Sequence, residues 1–153
     1  MDRRRFVAAG ALVAALAPRM ASAQSCDVEM ERYRGAFTTI TSMMAWSLDE
    51  FGRVSQEATD SATYDAEWQM DVISPFAVSR AAQDALGGLT VPPRMSETHF
   101  LFARAIDEYV LAGDALKLAV LTIDESAIAS ANQHIENANA LVGQANDALT
   151  AAG

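Results

Sequence analysis

Residues 95–125 read MSETHFLFARAIDEYVLAGDALKLAVLTIDE. Met95, His99, Phe102, Ile106, Tyr109, Gly113, Leu116, Val120 and Ile123 follow one another at steps of four and three in strict alternation. At 3.6 residues per turn, that spacing gathers all nine on one side of a helix, and such a side must be buried against something. Asp124 ends the run. Its carboxylate can accept from the free amides of a following helix, and Ile123 and Ile128 are placed to clasp each other across that cap. The stretch therefore predicts two helices, over 94–121 and 125–151, joined by a turn too short for anything but an antiparallel hairpin.

The same periodicity extends in both directions. Upstream, Met30, Tyr33, Phe37, Ile40, Met44, Leu48 and Phe51 predict a helix over 27–58, slightly weakened near its end by Gly52. A second helix is predicted over 62–86, with Trp68, Val72, Phe76, Ser79 and Leu86 on one side and Gly87-Gly88 as its stop. Pro75 either kinks that helix or restarts it, with Ser74 as cap. Downstream, Ala131-Asn132, Ala138-Asn139 and Ala145-Asn146 repeat every seven residues beside Ile128, Ile135, Val142 and Leu149. The alanines allow a neighbouring helix to come close. The expected fold is all-α: an antiparallel up-down four-helix bundle spanning residues 24–153 as one domain, with a three-helix bundle and a broken second helix as the alternative.

Residues 1–23 read as an address. Arg3-Arg4-Arg5 is followed by an uncharged run from Val7 to Ala17, far short of the about 20 residues that cross a bilayer, and by the small residues Ala21-Ser22-Ala23. This is the pattern of a cleavable secretory signal peptide with cleavage before Gln24. Arg3-Arg4-Arg5-Phe6-Val7, with Arg19 close to the cleavage site, resembles a twin-arginine export signal. The resemblance covers the leader alone and implies export in a folded state, with a periplasmic or extracellular destination. A lipoprotein reading of Cys26 lacks the usual leucine three residues before the cysteine.

The whole chain of 153 residues carries 11 basic and 20 acidic side chains, a net −9. Without the leader, 7 basic residues stand against 19 acidic ones, a net −12. The remaining cations, Arg32, Arg34, Arg53, Arg80, Arg94, Arg104 and Lys117, are scattered singly. No basic stripe exists for a nucleic acid, and nothing favours an anionic membrane surface or stable membrane insertion once the leader is gone.

Catalytic signatures are missing from the sequence: GxSxG, HExxH, a phosphate-binding glycine loop and CxxCH do not occur. One cysteine cannot form a disulfide framework within the chain. Three residues before His99 stands Ser96, and three before His134 stands Ala131, so the Glu-x-x-His pairs of di-iron bundles are absent as well. The expected role is therefore non-catalytic: an exported bundle that binds or scaffolds a protein partner in the cell envelope, without a cofactor.

Two constellations remain to be weighed. A hairpin turning near Asp124 pairs positions adding to about 247, which sets His99 opposite the region of Ala148 and His134 opposite Gly113. The two histidines are then about fourteen residues, or roughly 21 Å, apart along the axis, too far to share a metal. His99 and Met95 lie one turn apart, as do Cys26 and Met30, and an up-down bundle puts both pairs at the same end. Cys26, Met30, Met95 and His99 together would suit copper(I), the basis of an alternative role as a soft-metal or small-ligand carrier. Methionine at core spacing is equally what ordinary core filling requires, and a neighbouring carboxylate from Glu29, Glu31 or Glu97 would satisfy His99. In that simple bundle the first and third helices would stand diagonally, which lengthens the reach. A haem held by His134 with Met43 or Met44 is a more distant possibility. Asn132, Asn139 and Asn146 form either a solvated row or a surface for self-association or a protein partner, where spaced polar groups set register. Trp46, off the main stripe, is placed as an exposed contact anchor.

Overall fold

The computed structural model describes residues 28–57, 66–122 and 124–152. They form four helices: α1 (Val28–Glu57), α2 (Ala66–Gly87), α3 (Ser96–Thr122) and α4 (Glu125–Ala152). A single 3₁₀ turn, Pro93–Met95, leads into α3, and no strand occurs among the described residues. The architecture is the four-helix bundle. The leader, Cys26 and Ile123 lie outside the described residues, and so does the clasp expected between Ile123 and Ile128.

The helices bury most of the stripes the sequence announces; on α2 these are Val72, Phe76, Ser79 and Leu86, and the Trp68 side chain lies outside the described residues. On α1, Met30, Tyr33, Phe37, Ile40, Met44, Leu48 and Phe51 are all buried, and Val54 continues the row. Glu29 and Glu31 lie in its first turn, where negative charge meets the positive end of the helix dipole. Met95 in the 3₁₀ turn and Phe102, Ile106, Tyr109, Gly113 and Leu116 on α3 are buried, whereas His99 and Val120 are only partly covered. On α4, Ala131, Ala138 and Ala145 are sealed in the core beside Ile135, Val142 and Leu149.

The second helix neither breaks nor restarts at Pro75. α2 runs through it. Proline cannot donate to the Asp71 carbonyl one turn back, and the Ser74 hydroxyl points to that carbonyl instead, at 3.5 Å. The Pro75 carbonyl accepts from the Ser47 hydroxyl of α1. The proline thus sits at the contact between two helices, with a side chain of its own helix beside the carbonyl it leaves open.

Antiparallel pairing links neighbours in the chain. Phe51 of α1 meets Phe76 of α2 edge-on, with ring centroids 4.9 Å apart. α2 approaches α3 closely at Gly113, where an added methyl group would lie 2.5 Å from the Phe76 Cβ. Across the same pair, Arg80 Nη2 donates to both Asp114 carboxylate oxygens at 2.6 and 2.7 Å, and Gln83 donates to Asp107 at 2.7 Å. The turn from α3 to α4 is capped as expected: Asp124 Oδ1 accepts from the Ser126 amide at 2.8 Å and from its hydroxyl at 2.7 Å. These bonds hold the Asp124 carboxyl below the usual carboxylate range. The antiparallel hairpin matches the sequence reading, and its register does so only in part: Tyr109–Asn139 falls within one residue of the expected pairing, whereas His134, expected opposite Gly113, bonds Glu108.

The diagonal expected between α1 and α3 stands, since their backbones make almost no close approach, but side chains bridge it. Their rings touch. Phe37 and Phe102 pack with centroids 5.0 Å apart, and Tyr33 lies 5.9 Å from the His99 ring. Both contacts advance in the same direction along the two helices, so α1 and α3 run parallel and their first turns share one end of the bundle. Large aromatic side chains bridge a distance that alanine-lined helices could not.

Candidate functional site

The shared end of α1 and α3 is where the sequence places its candidate ligands. Met30 and Met95 are buried there. His99 is half-buried and meets the Tyr33 hydroxyl at 3.2 Å through Nδ1. Burial pushes the Tyr33 phenol above its ordinary range and the His99 imidazole below its own. Near neutral pH the contact therefore joins a neutral phenol to a neutral ring. Whichever of the two supplies the bridging proton, Nε2 is the ring nitrogen left for another partner. Phe37 and Phe102 close the site on its inner side. The neighbouring Thr98 hydroxyl is buried and has no hydrogen-bond partner among the described residues.

The partner of His99 is thus a phenol, not one of the carboxylates considered from sequence. Tyr33 is the residue that sequence reasoning missed. Its signal was present, since it follows Met30 by three residues on the same stripe, but it was read as core alone. Of the four proposed ligands, Met30, Met95 and His99 lie on the two helix ends that meet, and Cys26 lies outside the described residues. Among the described residues no group of three or more His, Cys, Asp or Glu side chains is arranged to hold a metal ion. Of the methionines considered for a haem, Met44 is sealed in the core and Met43 is exposed.

A second polar cluster joins the middle of α3 to α4. The His134 Nδ1 and Glu108 Oε2 atoms lie 2.7 Å apart. Asn137 donates to the same oxygen at 3.3 Å, and Gln133 donates to Asn137 at 3.0 Å. The hydrogen bond from His134 is the main cause that holds the Glu108 carboxyl below its usual range, with Asn137 and the positive charge of Arg104 adding to it. Next to it, the buried Tyr109 hydroxyl donates to Asn139 Oδ1 at 2.8 Å. The two histidines thus have separate partners. The Glu108–His134 pair can exchange a proton, but no nucleophile is bonded to it among the described residues.

The asparagine row is not a solvated one. Asn139 bonds inward to Tyr109, Asn146 is buried with its Oδ1 unpartnered among the described residues, and Asn132 is partly covered. Two of its three members face the interior of the hairpin.

Large apolar side chains are exposed on three helices, including Met70 on α2. On α1, Trp46 is 64% exposed and Met43 is 42% exposed, and together with Thr38, Thr39 and Ser42 they line a shallow, open groove of about 440 Å³. On α3, Leu111, Leu118 and Leu121 are exposed, as is Phe100, whose ring lies beneath the Arg104 guanidinium at 5.9 Å. No described helix is long and apolar enough to cross a membrane. Comparison with known protein families, with curated proteins and with solved structures finds no match.

Proposed function

We propose that this protein is an exported, non-catalytic helical bundle that acts by binding a protein partner in the cell envelope. The observation that carries this reading is the exposure of large apolar side chains, Trp46 and Met43 on α1 and Leu111, Leu118 and Leu121 on α3, beside a buried core of aromatic and aliphatic residues. Exposed aromatic and aliphatic groups of this size are what an interface uses as anchors. The leader supports the envelope as the compartment, and the acidic surface favours a protein over a polyanion as partner. The asparagine row contributes little to such a surface, because its members are largely engaged inside. Light scattering and pull-down from the periplasmic fraction test the proposal. A complex lost on Trp46→Ala or Leu118→Ser supports it, whereas a strictly monomeric protein with no recoverable partner overturns it.

A second reading, a soft-metal carrier, is favoured by one observation: the α1–α3 contact brings Met30, Met95 and His99 to one end of the bundle, with the His99 ring oriented through Nδ1 by Tyr33. In the tautomer where His99 Nδ1–H donates to the Tyr33 oxygen, Nε2 keeps its lone pair for a metal, the arrangement of a metal-bound imidazole. Anaerobic copper(I) titration of the protein and of its His99→Ala variant decides this reading. Equal binding by the two removes it.

A further inference from the structure

The outer face of α1 carries its own pattern. Val28, Arg32, Gly35, Thr39, Ser42, Trp46, Asp49 and Arg53 recur at alternating steps of four and three, on the side opposite the buried stripe, and all are exposed. A seam at that spacing is what one helix presents to another. Turned antiparallel onto itself, it is self-complementary. In the register that sets Arg32 opposite Asp49, Gly35 falls opposite Trp46 and Thr39 opposite Ser42, and a two-fold axis repeats each pair.

Each pairing has a physical basis. A side chain built at Gly35 would meet nothing within 4 Å, so a notch stands open there, while Trp46 is the most exposed aromatic group of α1. A large ring over a glycine lets two helix backbones approach closely. Neither Arg32 nor Asp49 forms an ion pair among the described residues, so each has its charge available for the other. Thr39 and Ser42, beside the axis, line the groove that Met43 and Trp46 extend.

Resting on the partner-binding reading, we infer that the partner of this face is a second copy of the chain: two bundles join through an antiparallel α1–α1 seam, with Trp46 of each seated over Gly35 of the other. The isologous geometry closes after two copies and leaves no end for further growth.

The test is a charge swap, read by light scattering on the purified protein under reducing conditions, so that Cys26 cannot link chains. The wild-type protein is expected at twice the monomer mass. Arg32→Asp and Asp49→Arg each place like charges opposite one another in both repeats and should return the monomer. The double variant restores opposite charges and should return the dimer. Gly35→Leu fills the notch and should give a monomer with unchanged helical circular dichroism. In a Cys26→Ser background, a Thr39→Cys chain mixed with a Ser42→Cys chain should form a disulfide faster than either chain with itself.

A monomeric wild-type protein overturns the inference. So does a dimer that survives both single charge reversals and Gly35→Leu, which would place the contact elsewhere, for instance on the exposed leucines of α3. The broader reading fails separately. It survives a monomer if photo-crosslinking from position 46 in cells captures a different protein, and falls with the dimer if nothing is captured.

Discussion

α3 meets α1 on one side and α4 on the other, and the two contacts are built differently. Against α1 it presents rings: Phe102 on Phe37 and His99 on Tyr33, across a distance that only large side chains span. Against α4 it faces the small side chains of Ala131, Ala138 and Ala145, which let the helices approach closely, and polar groups bridge the pair at Tyr109–Asn139 and Glu108–His134. The aromatic contact draws its stability from buried area, and the alanine contact from close packing and satisfied hydrogen bonds. The same contrast separates the two histidines. His99 is partly removed from water, which disfavours its charged form, whereas His134 stands beside a carboxylate whose negative charge it helps to stabilise.

The largest effect should come from the aromatic side. Phe102→Ala removes a fully buried ring and leaves a cavity that the facing Phe37 cannot fill, at a cost of about 3–5 kcal/mol, to be measured by urea denaturation. A loss under about 1 kcal/mol would mean that this contact carries little of the fold. Overfilling is the matching stress on the other side. Ala138→Leu forces bulk into a sealed position and should cost about 1–3 kcal/mol, with a lower thermal midpoint and retained helicity. If it stabilises instead, the α3–α4 packing is looser than the alanine row implies. Tyr109→Phe tests the polar bridge alone. It leaves Asn139 without its donor and should cost about 1 kcal/mol, partly recovered by Asn139→Leu in the Tyr109→Phe background.

The smallest effect concerns pH, and it separates the two histidine sites. Burial holds the His99 imidazole below its ordinary value of about 6.5, so the unfolded chain binds that proton more readily than the folded one. The stability contributed by neutral His99 is complete above about pH 6.5 and falls as pH drops towards the folded-state value. Glu108 is held below its ordinary 4.5, so its contribution is complete above that value and is lost as pH falls through the lower, folded one. Urea midpoints measured from neutral to mildly acidic pH should therefore decline less in His99→Gln than in the wild type, while Glu108→Gln should change the profile only at lower pH. Superimposable profiles for wild type and His99→Gln would show that the aromatic contact does not bias the ring's protonation.

Much of this architecture was legible in advance, and for an identifiable reason. The α3 stripe and the Asp124 cap depend on local spacing and on one hydrogen-bonding side chain, so both can be read along the chain, and the antiparallel hairpin follows from the turn. Pro75 leaves two readings open because its cost depends on whether another donor can reach the Asp71 carbonyl, and the helix continues past it with the Ser74 hydroxyl at hand. Tyr33 as partner of His99 was missed because the pair is 66 residues apart in the chain, and only the approach of α1 to α3 joins them. The inward turn of Asn139 and Asn146 is not legible in the sequence, because a heptad repeat does not reveal which way its flank turns once two helices pack.

The sequence by itself determined the helices, their direction and the stripes they bury, because a helix's periodicity and its caps are local properties. Its leader supplied the expectation of export, and its missing motifs the expectation of a non-catalytic role. Only the tertiary structure decided that α1 touches α3, that Tyr33 holds His99 and Glu108 holds His134, and that Trp46, Gly35, Arg32 and Asp49 remain uncovered on one face. Those outcomes depend on distances between helices, and such distances are set by the combined bulk of side chains from segments far apart in the chain, which no single stretch of sequence contains.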